Sequence, residues 1–400
     1  MSLFCLQMTT LFVYDYGIEY NNPFNVDKKS PRLNESQLIQ LATKSPNVRN
    51  LRINRPVLGL TTNGLDRLAQ LWPRVEELDL RGSGFDEQEL GNFTRLFPLL
   101  KKLKISVSFY AKVQLFEILF SNHPNLVNFE LNLWSEADRN WFLSCHVPLE
   151  RFVVNRLLDE DATLDTLENC CKDSLQTIQV GFQNATNSQP IRRIFSTFHQ
   201  LSDVSLSLIK YSTLPHQPVL RHLEKLCLDP DINDTEKPQI VIDFLKSYPQ
   251  LKELHLEQWD VDDEFIEKIV NTLPNLRSLS FAATEMTRAG WMNVTSLKKL
   301  EYFNAGYETK GSVEDVLAFV RETPSLQRLS IWKPSIKKND FLVLFKALRD
   351  DIRSSGSNRQ LLVSRDDVKY FALDSSDKCT DLAIEEFVNE MNNRTARKFC

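Results

Sequence analysis

YPQLKELHL, from Tyr248 to Leu256, is followed by LPNLRSLSF from Leu273 to Phe281 and by TPSLQRLSI from Thr323 to Ile331. Each phrase carries proline at its second position, then apolar-x-x-apolar-x-apolar. Its last three residues alternate apolar, polar, apolar, which puts the apolar side chains on one face of a short strand. A strand that short cannot bury its face alone, but copies stacked side by side make one continuous core.

The phrase can be aligned along most of the chain. Its first apolar position falls at Val48, Val75, Leu100, Leu126, Leu149, Leu175, Leu201, Leu223, Leu251, Leu276, Leu300 and Leu326. The spacings are 27, 25, 26, 23, 26, 26, 22, 28, 25, 24 and 26. They average about 25, inside the window of a leucine-rich repeat. One such match would mean nothing, and twelve in register define the fold.

Between phrases the apolar period lengthens. Val313, Val316, Leu317 and Val320 share one helical face, with Ser312 and Asp315 at capping-box spacing. Phe265, Ile266, Ile269, Val270 and Leu273 repeat the pattern behind Asp262 or Asp263 as cap. Pro190 suits a first helical turn, with Ile191, Ile194, Phe195 and Phe198 facing inward. Pro46, Pro73, Pro98, Pro124, Pro249, Pro274 and Pro324 sit two residues before the phrase and mark the switch from helix to strand.

These features predict an α/β leucine-rich-repeat solenoid, a horseshoe of about 12–14 repeats. Short parallel strands would line its concave face and helices its convex face. Residues 1–47 read as an N-terminal cap or degenerate first repeat, 48–351 as the solenoid and 352–400 as a degenerate repeat with a capping helix. Within the caps, Met8 to Tyr16 reads as a first strand and Glu35 to Thr43 as its helix. Leu361 to Val363 reads as a last strand, and Asp381 to Arg394 as an amphipathic helix. Asp229 to Pro238 is the main loop insertion, and Ile352 to Arg359 a polar hinge.

A strand plus a true helix per repeat resembles the ribonuclease-inhibitor-like superfamily. DVDDEFIEKIVNTLPNLRSLSF, from Asp260, and SGFDEQELGNFTRLFPLLKKL, from Ser83, are similar to the repeats of F-box leucine-rich proteins. The Cys or Asn that follows the strand in many such repeats is mostly replaced, with Ser83, Trp259 and Thr284 near that place. No F-box is recognisable before Val48. The resemblance implies a protein-binding module and a substrate-recognition subunit of a cullin-RING (SCF-type) ubiquitin ligase, with a ligase adaptor among its partners. A small-GTPase regulator and a scaffold or adaptor are the alternatives.

Composition sets the outer bounds. The chain has 400 residues, 42% of them hydrophobic, with a net charge of −5. This acidic balance gives no electrostatic footprint for nucleic acid. No apolar run approaches the ~20 residues of a membrane span. Seven cysteines without a CxxC pair suit a reducing compartment, the cytoplasm or the nucleus. The chain is expected to act as a monomer.

No chemistry-bearing motif survives inspection. DPDIND at Asp229 lacks the glycine and glutamate of a calcium loop. Gly82 and Gly84 lack the partners of a dinucleotide or phosphate loop. Cys145-His146 and Cys170-Cys171 lack zinc spacing and read as buried thiols. No catalytic, metal or cofactor-binding residue is therefore expected, and the chain reads as non-enzymatic.

A partner is expected on the concave face, on the polar positions of the strands. In the N-terminal half these form a charged ladder of Asn50, Arg52, Glu77, Asp79, Arg81, Lys102, Lys104, Asn128, Glu130 and Arg151. In the C-terminal half they are Glu253, His255, Glu257 and Trp259, then Ser278, Ser280 and Ala282. Tyr302, Asn304, Gly306 and Tyr307 follow, then Arg328, Ser330 and Trp332. Small residues would floor a groove between the aromatic walls Trp259, Tyr302 and Trp332, the residue types that anchor interfaces. The competing reading is that the small residues only relieve crowding and that Trp259 packs under the next repeat.

Overall fold

Each of the twelve phrases becomes a β-strand that starts two residues after the phrase's first apolar position. That first residue is at most 1% exposed in every copy. The computed structural model describes residues 9–13, 33–53, 57–58, 61–81, 83, 85–107, 112–133, 140–182, 189–215, 220–231, 239–284, 286–307, 312–331, 338–354, 360–364 and 371–373. The chain divides into two units, Met1–Leu201 and Ser202–Cys400.

In the first unit, β1 (Thr10–Val13) pairs parallel with β3 (Asn50–Ile53). The sheet continues through β5 (Glu77–Asp79), β6 (Lys102–Val107), β7 (Asn128–Leu133), β8 (Arg151–Val154) and β9 (Thr177–Gly181), all parallel. Two short strands, β2 (Leu33–Asn34) and β4 (Val57–Leu58), form a separate parallel pair. The helices are α1 (Glu35–Lys44), α2 (Thr62–Leu71), α3 (Glu87–Thr94), α4 (Val113–Asn122), α5 (Glu160–Cys171) and α6 (Gln189–Thr197). β1 lies within the segment read as a first strand, and α1 coincides with the helix read from Glu35.

In the second unit the sheet runs β10 (Asp203–Ile209), β11 (Lys225–Pro230), β12 (Glu253–Val261), β13 (Ser278–Thr284), β14 (Tyr302–Tyr307), β15 (Arg328–Ile331) and β16 (Leu361–Ser364), all parallel. A last strand, β17 (Phe371–Leu373), adds antiparallel to β16, a reversal the repeat pattern did not announce. The helices are α7 (Gln239–Leu245), α8 (Asp263–Thr272), α9 (Arg288–Val294), α10 (Val313–Glu322) and α11 (Lys338–Ser354). The expected C-terminal helix at 381–394 and most of the loop at 229–238 lie outside the described residues.

Caps and turns form where the sequence puts them. Ser312 and Asp315 make a reciprocal capping box on α10, and the Asp262 side chain accepts from the Phe265 N–H on α8. All seven marker prolines lie in turns. Across most rungs one carbonyl accepts two N–H groups: Lys252 O takes Arg277 N at 2.7 Å and Ser278 N at 3.0 Å. That arrangement locks the register of the next strand before its ladder begins.

The two shortest repeats depart from the strand-plus-helix rule. Where the spacing is 23, the described connection from β7 to β8 is a set of turns at 140–144 instead of a helix. Where it is 22, the described connection from β10 to β11 is one 3-10 turn, Tyr211–Thr213. In the first case Trp141 and Phe142, both fully buried, fill the helix's place, with Trp141 4.7 Å from Phe116 of α4 between ring centroids. In a full repeat, Trp291 of α9 packs 5.5 Å from Phe303 of β14 and 5.1 Å from Phe319 of α10.

Candidate functional site

The strand face that the helices leave uncovered carries the polar residues of each phrase. In the second unit, register aligns them in rows. Lys225, Glu253, Ser278, Tyr302 and Arg328 lie side by side across β11 to β15. One step along the strands, Cys227, His255, Ser280, Asn304 and Ser330 form a second row. The residues between them, Leu226, Leu254, Leu279, Phe303 and Leu329, are fully buried and fix the strands beneath.

Ser278 is the shortest side chain of the first row, between Glu253 on one side and Tyr302 on the other. A groove of about 710 Å3 opens there, bordered by Lys225, Glu253, His255, Tyr302 and Arg328 among others. Its wall is prearranged. Glu253 faces His255 at 3.8 Å and Lys225 at 3.4 Å. The His255 imidazole, with help from Lys225, holds the Glu253 carboxyl below its ordinary range. The His255 and Tyr302 rings lie 6.4 Å apart, tilted by 39°. Asn304 donates to the Ser280 hydroxyl at 3.0 Å, which fixes both side chains in the second row beside the groove.

The sequence-predicted residues therefore meet in part. Glu253, His255, Ser280, Tyr302, Asn304 and Arg328 share one surface, and Glu257 follows on β12, 3.9 Å from the Cys227 thiol. Trp332 lies outside the described residues, as do the side chains of Trp259 and Tyr307. Chemically the surface offers a carboxylate, a cation and aromatic edges. His255 faces Glu253, and no hydrogen bond among the described residues joins it to a hydroxyl or thiol. Burial, reinforced by the Glu257 carboxylate, pushes the Cys227 thiol up to about 12, which leaves it unreactive.

The corresponding face of the first unit is occupied by its own charges. Arg52 pairs with Asp79 at 2.8 Å, and Asp79 with Arg81 at 2.8 Å. Arg81 reaches Glu130 at 2.5 Å, and Glu130 takes Lys104 at 2.8 Å. Glu77 and Lys102 pair at 2.6 Å in the neighbouring row. The ladder read from the sequence is thus an internal ion-pair network that a partner would have to displace. The signal was available: at one phrase position the chain runs Arg52, Asp79, Lys104, Glu130, alternating in sign from strand to strand.

One further residue was missed. Asn155, directly after β8, accepts from the Leu133 N–H at 2.7 Å and donates to the Leu133 carbonyl at 3.0 Å. It ties two successive repeats together at the strand exit. Among the described residues no group of three or more His, Cys, Asp or Glu side chains is arranged to hold a metal ion, and no helix is long and apolar enough to cross a membrane.

Parallel strands repeating every 25 residues or so, each returned by a helix or a turn, define a leucine-rich-repeat fold of the α/β class. No protein-family model matches the chain, and no curated protein does. Solved structures are similar. A chain of the Rad7–Elc1 complex from yeast is 16% identical, covers 75% of this chain and 79% of its own, and superposes with a TM-score of 0.55. At that identity the likeness is one of fold alone. An internalin from Listeria monocytogenes is 16% identical over 82% of each chain, with a TM-score of 0.38. The leucine-rich repeat-containing protein LegL7 from Legionella pneumophila is 15% identical over 72% of this chain and 96% of its own, with a TM-score of 0.41.

Proposed function

We propose that this chain is a non-enzymatic protein-interaction module that recognises a protein segment on the polar strand face of its second unit. The observation that carries the reading is the groove over Ser278. It is walled by a prearranged Glu253–His255 pair and by Tyr302, with Arg328 alongside. Tyr and Arg are typical interface anchors, and a wall already held in place loses little entropy on binding. Trp259, Tyr307 and Trp332 extend the same surface in this proposal, with Glu257 at its edge. The first unit's face has spent its charges on itself and is the weaker candidate.

The finer reading is a substrate-recognition subunit of a cullin-RING ubiquitin ligase, acting as a monomer in the cytoplasm or nucleus. Its support is the resemblance of the repeats to F-box leucine-rich proteins, and a fold shared with a chain solved in the Rad7–Elc1 complex. Tagging the protein at its own locus and identifying what co-purifies tests it. Cullin and adaptor subunits in stoichiometric yield are the expected result. A small GTPase in their place would overturn the ligase reading in favour of a GTPase regulator, and other proteins alone in favour of a scaffold.

A further inference from the structure

Three cysteines from two separate stretches of the sequence meet in the first unit. Cys145 lies in the turn before β8, and Cys170 and Cys171 end α5, 25 residues later. One repeat period separates them, so successive turns bring them together. The Cys170 sulfur is 4.0 Å from that of Cys145 and 3.2 Å from that of Cys171. Cys145 and Cys171 are buried, whereas Cys170 is only half-buried.

Their environments differ in a way that assigns roles. Cys171 accepts from the Leu149 N–H at 3.4 Å and donates to the Val147 carbonyl at 3.5 Å, and Cys170 donates to the Thr166 carbonyl of its own helix at 3.0 Å, a bond it gives up on ionising. Contacts with the other two thiols, and the imidazole of His146, hold Cys170 below the ordinary thiol range. Contacts to Cys170 and Cys171, together with burial, hold Cys145 above it. Cys145 sits in a turn, with only a loose contact to the Val147 carbonyl at 3.9 Å.

We propose that Cys170 is a peroxide-reactive thiol and that Cys145 is its resolving partner. The Cys170 thiolate attacks one peroxide oxygen, the O–O bond breaks, and hydroxide leaves to become water. Cys170 is then a sulfenic acid. The Cys145 sulfur attacks the Cys170 sulfur, the S–O bond breaks, and the leaving hydroxide takes the Cys145 proton. Two thiols are oxidised to one disulfide, and one peroxide is reduced to two waters. Closure needs the sulfurs to approach to ~2.05 Å, which a turn permits. A bridge between Cys170 and Cys171 would close a small ring inside helical backbone, which disfavours it.

The test is a titration of the reduced full-length protein with hydrogen peroxide, followed by intact mass and peptide mapping. The expected first product is two hydrogens lighter, linked Cys145–Cys170, and restored by a dithiol reductant. Cys170→Ser should slow the first oxidation ~10-fold, since an ordinary thiol is only a few per cent ionised near neutral pH. Cys145→Ser removes one of the contacts that hold Cys170 low, so its readout is the product and not the rate: oxidation should stop at a species one oxygen heavier at Cys170, with no disulfide. Thermal melting checks that both variants fold. A first product on other cysteines, a Cys170–Cys171 link, or an unchanged rate in folded Cys170→Ser would overturn the proposal.

Discussion

The Arg81 guanidinium spans two strands: it leaves β5 beside Asp79 and reaches Glu130 on β7 at 2.5 Å. The Glu130 side chain is 9% exposed and also carries Lys104. Removing it would take the carboxylate from Lys104 and cut the link from Arg81 to β7, although Arg81 keeps Asp79. Glu130→Ala is expected to destabilise the protein by about 2 kcal/mol, between the values for exposed and buried pairs. Urea unfolding measures this, and Glu76→Ala, a more exposed partner of Arg49 and Lys101, should cost clearly less.

His123, at the end of α4, is fully buried, and neither ring nitrogen has a hydrogen-bond partner. Burial lowers its pKa from 6.5 to about 4. The unfolded chain therefore binds a proton in a window where the folded chain does not. Stability from this residue is full above about pH 6.5 and is lost as pH falls toward 4, by up to about 3 kcal/mol. His123→Leu should flatten the stability profile between pH 7 and 5. A profile as steep as that of the unaltered protein would contradict this assignment.

Gly181 closes β9 against β8. A Cβ there would collide with the Asn155 carbonyl oxygen, a backbone atom that cannot swing aside. The Gly181 carbonyl also accepts from the Leu157 N–H at 2.7 Å, so the strand exit is held on both sides. Gly181→Ala is expected to cost about 1–3 kcal/mol by overpacking, read as a lowered unfolding midpoint in urea.

Trp291 anchors the core of the second unit, yet its indole N–H is buried without a partner. The ring matters and the N–H does not. Trp291→Ala should cost about 3–5 kcal/mol, whereas Trp291→Phe should cost less than about 1.5 kcal/mol. Equal losses in the two variants would show that the N–H has a role that the packing does not reveal.

The repeat was legible because its signal is physical and redundant. A two-residue alternation, a helical period, and a proline between them each predict the same switch, and all twelve strands followed. The antiparallel β17 was not legible, because three residues, Phe371 to Leu373, carry no directional signal. The candidate face was legible as a set of residues. Whether its side chains were available was not, because pairing depends on register: Asn304 turned out to hold Ser280, and the Arg52-to-Glu130 ladder to be closed on itself. The thiol cluster was invisible as two pairs and becomes visible only when one repeat is stacked on the next.

The central claim is that the second unit's polar strand face binds a protein partner. The most direct test is quantitative co-purification with His255→Ala, Tyr302→Ala and Arg328→Ala combined, against the unaltered protein and against a triple variant of Arg52, Asp79 and Lys104. His255, Tyr302 and Arg328 are at least partly exposed, and their strands are held by the buried residues between them, so the fold should survive, as a melting curve would verify. The account predicts that the partners fall at least ~10-fold for the second-unit variant, the loss of two or three anchor contacts, and persist for the first-unit variant. Full retention of every partner by a folded second-unit variant would contradict it.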